Sequence, residues 1–283
     1  MTARKQNPPS KSSALAGLGL GIICVALAAP AYAVNAVPFL AHRAVYDLSL
    51  DTDPSRPTVE AARGRIVFEF SGSACEGYTQ NFRQVAALEG GEFGLRKIDS
   101  RSLSFEEAGG KIMRYSGSLT INDGETQDTE GTVEVQGDAL NVSLVKPEAE
   151  TVSLKGNAVF PTAHYQSIVA AALKGETTVE ARVFDGTGDG KTISDSFAII
   201  GKALPESKAG DAIKKAGFGG MKRWPVTVSY FDGEGQERET PSYSMSMELL
   251  ENGVADSLIL NYGDFVLKAT LRQIDTLPQR ICP

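Results

Sequence analysis

The sequence is short of the residues that most active sites are built from. Two histidines, three cysteines and one tryptophan serve 283 residues. His42 and His164 lie far apart, so no zinc-type ligand spacing exists. Gly72-Ser73 and Gly117-Ser118 lack the G-x-S-x-G frame of a nucleophile elbow. Gly201 and Gly217-x-Gly219-Gly220 form neither a phosphate loop nor a dinucleotide fingerprint. Basic clusters are missing too, since Lys214-Lys215 and Lys222-Arg223 are isolated pairs. These absences exclude cofactor and metal chemistry from the reading and name no catalytic residue. Asp185-Gly186-Thr187-Gly188-Asp189-Gly190 has the oxygen spacing that opens a calcium loop. Its twelfth position is Ser196, however, and the closing bidentate carboxylate is missing. A hairpin turn is the expectation there.

The N-terminus has the order of a secretory leader. Arg4, Lys5 and Lys11 precede an apolar stretch from about Ala14 to Ala29, and Ala31-Tyr32-Ala33 fits the small-x-small rule for cleavage. The apolar stretch is too short and too rich in Gly and Ala for a membrane span, which needs about 20 strongly apolar residues. A retained anchor helix is the alternative. Cys24 sits inside the apolar run behind Ile22-Ile23, which is not the position of a lipidated cysteine. The reading is therefore a leader at residues 1–33 and a single domain at 34–283 with no membrane anchor. The leader holds three of the 28 basic residues and none of the 35 acidic ones, leaving 25 against 35 and a net charge of −10. Such a balance opposes binding to nucleic acid and to anionic membrane surfaces. Cleavage also removes Cys24 and leaves Cys75 and Cys282 for a compartment where disulfides persist. An intramolecular bridge between them is expected; two free thiols or an intermolecular bridge are the alternatives.

Downstream of the leader the pattern has period two. Runs rich in β-branched and aromatic residues occur at 44–51, 65–70, 111–119, 132–135, 140–145, 178–184, 194–200, 226–231, 243–250, 257–262 and 265–274. Between many of them stand turn signals: Asn122-Asp123-Gly124, Gln136-Gly137-Asp138, Asp232-Gly233, Asn252-Gly253 and Gly263-Asp264. The spacing predicts an all-β fold, an antiparallel meander of a dozen or more strands. One main α-helix interrupts it over His164–Lys174, with Thr162 expected as N-cap and Gly175 as C-cap. Residues 203–217 read as a long connection with a weak turn, and 34–41 and 52–62 as loop. A bridge from a strand near Cys75 to the chain end favours a curled, nearly closed sheet, a β-spiral or open barrel. Trp224 reads as a core or loop-covering aromatic, with a place at a cavity mouth as the alternative. A histidine at a helix start is more often a surface residue, and His164 reads as one that caps or packs.

Several strings taken in order resemble one family. Ala41-His42-Arg43-Ala44-Val45-Tyr46-Asp47 opens the mature chain, and Ser73-Ala74-Cys75-Glu76-Gly77-Tyr78 surrounds the first cysteine. Phe160-Pro161-Thr162, Arg223-Trp224-Pro225-Val226, Tyr262-Gly263-Asp264-Phe265 and the terminal Leu277-Pro278 with Cys282 follow. Over essentially the whole mature chain this resembles the cell-envelope integrity EipB family of alphaproteobacterial periplasmic proteins. The resemblance implies a β-spiral of about fourteen strands with a helix, and a disulfide whose positions Cys75 and Cys282 match. It implies a non-enzymatic role in envelope integrity under stress and association with a periplasmic tetratricopeptide-repeat protein. Fold analogy adds a lipid or peptide ligand in the concave face. The competing readings are a lipid or lipoprotein carrier, or an exported hydrolase using His42 or His164.

The leader reading has a direct check. Intact-mass measurement on protein recovered from the periplasm is expected to show a chain beginning at Val34. A mass that retains the apolar stretch contradicts it.

Overall fold

The computed structural model describes residues 37–51, 59–91, 94–232, 240–280 and 282. The expected leader at 1–33 lies outside these residues, as do most of the expected loop at 52–62 and Gly233 of one expected turn. Fourteen strands form one antiparallel sheet: β1 (His42–Leu50), β2 (Ala61–Ser73), β3 (Gly77–Gly90), β4 (Gly94–Glu106), β5 (Ile112–Ile121), β6 (Gln127–Gln136), β7 (Ala139–Lys146), β8 (Glu150–Lys155), β9 (Thr178–Val183), β10 (Ser194–Ile200), β11 (Arg223–Phe231), β12 (Tyr243–Leu250), β13 (Ala255–Asn261) and β14 (Val266–Thr276). Two helices join them, α1 (Pro161–Lys174) and the short α2 (Asp211–Lys215). The second lies with a single 3₁₀ turn in the long connection before β11.

The spatial order runs from β8 down to β1, then to β14, and from there down to β9. Every neighbour is a sequence neighbour except at one join, where the first strand pairs with the last from His42↔Thr276 to Leu50↔Leu267. The chain therefore starts in mid-sheet, winds to one edge, crosses on α1 and winds back from the other edge. The two edges approach without sharing a continuous ladder. Side chains bridge the seam: Arg182 Nη1 donates to the Lys155 carbonyl at 3.2 Å, and Lys191 pairs with Glu150 at 2.6 Å. The sheet is curled and open, as expected.

Period two explains which residues fill it. On β11, Trp224, Val226 and Val228 are buried and share a face with Leu249 and Met247 of β12. On β1, Ala44, Tyr46 and Leu48 do the same against β2. Trp224 belongs to this core. The outer face carries ion pairs across strands, including Arg83–Asp99 at 2.8 Å and Arg65–Asp47 at 2.8 Å. Exposed pairs of this kind add little stability each.

The helix begins earlier than the pattern indicated, and its cap differs. Phe160 occupies the N-cap position, with no side-chain cap bond, and Pro161 takes the first turn, where its missing N–H is no loss. Thr162 is already inside the helix and is bonded elsewhere. Gly175 does cap the C-terminus in the left-handed region at φ 80°. Ile168, Val169, Ala171 and Ala172 bury one stripe of the helix in the sheet's concave side.

The C-terminal tail is stitched down beyond β14. Leu277 N donates to the Ala41 carbonyl at 2.8 Å. The Gln279 side-chain amide donates to the Phe39 and Gly72 carbonyls at 2.8 and 3.1 Å. Cys282 then forms a disulfide with Cys75 in the β2–β3 turn, with Cα atoms 5.8 Å apart. The bond closes a 207-residue separation. On the chain-entropy account such a loop is worth roughly 5 kcal/mol, acting on the unfolded chain.

Because apolar burial does not depend on that bond, Cys75→Ser is expected to fold and to melt at a lower temperature than the oxidised protein, by up to about 5 kcal/mol of stability. Thermal melts with and without reductant check this, alongside thiol counting on denatured, unreduced protein. Two reactive thiols per mature chain would rule the bridge out.

Candidate functional site: a two-walled cavity inside the sheet

Tracing the inward face strand by strand separates the sheet into two halves. From β1 and β2 the inward positions are mostly apolar, Tyr46↔Ile66 and Ala44↔Phe68, with His42 opposite Phe70. From β11 to β13 they are apolar again, with Val228↔Met245↔Leu260 in one row. On the other side of β2 lie β3 to β6, where a stretch of the same face becomes polar and small. Gln84 pairs with Ser100, Phe82 with Ser102 and Gln80 with Ser104. Next along, Ser102 pairs with Gly117, and Gly117 with Thr129. Small side chains leave space. A cavity of about 640 Å³ opens between this Ser/Gln wall and the apolar one, with Pro161, Thr162 and Tyr165 of α1 also lining it. That volume lies within the range of about 300–1,000 Å³ usual for small-molecule sites.

Tyrosines line one side of the cavity. Tyr230, Tyr243 and Tyr262 follow one another with ring centroids 6.2 and 5.1 Å apart, and the Tyr165 and Tyr230 hydroxyls meet at 3.5 Å. Burial pushes the Tyr230 phenol up to about 12, so these rings are neutral. The loop between β9 and β10 closes one side. Tyr115 donates to the Gly190 carbonyl and packs edge-on against Phe184. In that loop Asp185 Oδ1 accepts from Thr187 N and Oγ1, and Asp189 Oδ1 accepts from Lys191 N. It joins two paired strands, the hairpin turn expected. No group of three or more potential metal ligands occurs among the described residues.

Helix α1 is fixed over the cavity by buried polar bonds. Glu106, at the end of β4, accepts from Thr162 N and Oγ1, both at 2.9 Å, and from Gln80 Nε2 at 3.1 Å. A carboxylate from another strand thus satisfies the helix N-terminus that Phe160 leaves uncapped. Burial raises the Glu106 pKa to about 6 despite these bonds.

Both histidines are buried, at 2% exposure for His42 and none for His164. Of the readings for His164, the structure shows packing, not surface exposure: it lies at the end of the first turn of α1, facing β10. Its Nε2 is 3.1 Å from the Ser196 hydroxyl, and its Nδ1 has no hydrogen-bond partner. Burial lowers its pKa to about 4. Its ring is thus a weak base at neutral pH, with no third group to orient it, and neither it nor Ser196 lines the cavity. His42 does line the cavity; its Nδ1 is 2.8 Å from the Leu40 carbonyl. Burial lowers its pKa as well. The residues that shape the cavity were not singled out from the sequence. The signal available was serine at every second position, Ser100, Ser102 and Ser104, where an inward face would be apolar.

An open antiparallel sheet rolled around an interior cavity places the chain in the class of curled, barrel-like β proteins. The chain belongs to the EipB-like family, which it matches over residues 33–278. It is 34% identical over 251 residues to the cell envelope integrity protein EipB of Brucella abortus, covering 88% of each sequence. The crystal structure of a beta-barrel-like protein of a domain of unknown function from Brucella abortus aligns with a TM-score of 0.79 at 32% identity, covering 86% of this chain and 100% of that one. Family and fold are those the sequence strings indicated.

The buried acid and base titrate in opposite directions. His164 is held neutral, so its contribution is present above pH 6.5 and drains as pH falls toward 4, about 3 kcal/mol in all. Glu106 keeps its proton to a higher pH than in the unfolded chain, so this contribution is full below pH 4.5 and is lost as pH rises through about 6, about 2 kcal/mol, leaving the carboxylate at neutral pH. Between pH 4.5 and 6 they offset one another. Urea midpoints across pH 4 to 7.5 are expected to fall more steeply on acidification for Glu106→Gln than for the natural protein, and less steeply for His164→Gln. Parallel curves for all three would contradict the assignment.

Proposed function

We propose that this protein is an exported, non-catalytic factor that sustains the bacterial cell envelope under stress and acts through protein partners. The observation that carries the reading is the 34% identity, over 88% of both sequences, to a protein named for cell envelope integrity. A disulfide between Cys75 and Cys282 supports an oxidising compartment, and the basic-apolar-small leader supports export to the periplasm. No helix among the described residues is long and apolar enough to cross a membrane. A periplasmic tetratricopeptide-repeat protein is the proposed partner, on the strength of the family resemblance. The hydrolase reading is disfavoured by the one Ser–His pair described above, which is buried, unoriented and held far from basicity.

Deleting the gene in the source bacterium is expected to sensitise cells to detergent and to cell-wall antibiotics, and the full-length gene to restore resistance. A version lacking residues 2–33 is expected not to restore it. Ser196→Ala, which removes the hydroxyl beside His164, is expected to complement fully; loss of complementation at normal abundance would favour catalysis. Crosslinking in cells that yields no tetratricopeptide-repeat protein would overturn the partner.

A further inference from the structure

Glycine inside a strand weakens it, so a strand glycine usually has a steric reason. Gly64, Gly72 and Gly131 have one. A Cβ at Gly64 would lie 2.2 Å from the Val85 carbonyl oxygen, and one at Gly131 would lie 2.5 Å from the Tyr115 hydroxyl. Gly72 has a φ of +100°. Gly117 has none of these reasons. A Cβ there would meet only the Arg101 carbonyl oxygen, at an ordinary 3.6 Å, and its φ lies outside the left-handed region. It sits in mid-β5 on the cavity's small wall, between Ser102 and Thr129. The chain forgoes a side chain where its own packing would accept one, and the result is open space facing the apolar wall.

We infer that the cavity is a binding site for an acyl chain bearing an uncharged polar linkage, an ester, amide or hydroxyl. The chain lies along the apolar wall, and the linkage meets the hydroxyls of Ser100, Ser102 and Ser104. Three observations select this occupant. The cavity presents no unengaged cation to an acidic head group: Arg101 donates to Asp99, at 3.3 and 3.2 Å, and Asp185 adds negative charge at the rim. A purely apolar chain would leave the row of serine hydroxyls desolvated and without a partner from the ligand, which is costly. An extended peptide finds no ladder to join: the lining strands β1 to β6 and β11 to β13 are paired on both sides, and the free edge of β9 at its lining residue Val183 is taken by Val159, whose N donates to the Arg182 carbonyl and whose carbonyl accepts from Phe184 N. Its own amides would then depend on side chains alone. The inference goes beyond the reading of an envelope factor, and it is tested on purified mature protein, so it stands or fails apart from any envelope phenotype.

The test is displacement of the lipophilic dye N-phenylnaphthylamine. Monolauroylglycerol is expected to displace the dye from the natural protein, laurate to need at least tenfold more, and a capped hydrophobic pentapeptide to displace none. Gly117→Val is expected to melt no lower than the natural protein and to bind monolauroylglycerol at least tenfold more weakly. Ser102→Phe, which fills the same wall beside Phe82, is expected to weaken it similarly. Asn81→Leu, exposed on the opposite face of β3, is expected to change nothing. Natural-strength binding by both wall variants overturns the inference. So does equal potency of laurate or the peptide, a matching loss in Asn81→Leu, or a Gly117→Val that melts several degrees lower and so reveals a structural reason for the glycine.

Discussion

The pairing of the first strand with the last holds the architecture together. Without β1 against β14 the sheet is two separate meanders, each with an apolar face and two open edges, and neither could curl around the other's side chains. The pairing spans the whole of β1, with one register shift between Val45 and Tyr46. Everything at the C-terminus reinforces it. Leu277 extends the ladder by one bond, Gln279 ties the tail to two carbonyls, and Arg280 meets Glu76 at 3.0 Å just before the disulfide. The covalent bond is thus the last of several contacts that keep the closing strand in register.

The strands visible in the sequence and the strands that were not divide along the cavity. Runs such as Ser194–Ile200 and Tyr243–Leu250 are legible with their full bounds, the first because Phe197, Ile199 and Ile200 are β-formers, the second because Tyr243, Met245, Met247 and Leu249 alternate with Ser244, Ser246 and Glu248. β3 and β4 were missed, although their mutual ladder runs from Tyr78↔Glu106 to Gly90↔Gly94. Alternation vanishes there because Gln80, Gln84, Ser100, Ser102 and Ser104 replace apolar groups on the inner face. Those substitutions are also what opens the cavity, so one physical fact concealed both the strands and the site. β8 was missed for another reason: it is a short edge strand, Glu150–Lys155, with no buried residue to mark it.

The helix shows a second limit of local reading. Its C-terminus was legible because Gly175 acts through its own backbone. Its N-terminus was not, because the capping carboxylate comes from Glu106, a strand away and distant in sequence. The rest of the helix is tied down in the same non-local way. Gln166 donates to the Val37 carbonyl at 3.0 Å, His164 meets Ser196, and Tyr165 meets Tyr230. Apolar burial draws the helix into the concavity, while these directional bonds fix its rotation and depth there. Buried polar partners chosen by the fold leave no periodic trace in the chain.

The mid-sheet start has a kinetic consequence. Pairing His42 with Thr276 demands that the two ends of a long chain meet before the sheet can close. A contact between such distant residues forms slowly, because loop-closure entropy must be overcome before it forms. An emerging chain can form the β2–β3–β4 hairpins early, since those are local, but it holds an unpaired β1 edge until its final residues are released. A polypeptide wired in this way stays incompletely folded until its synthesis or translocation ends.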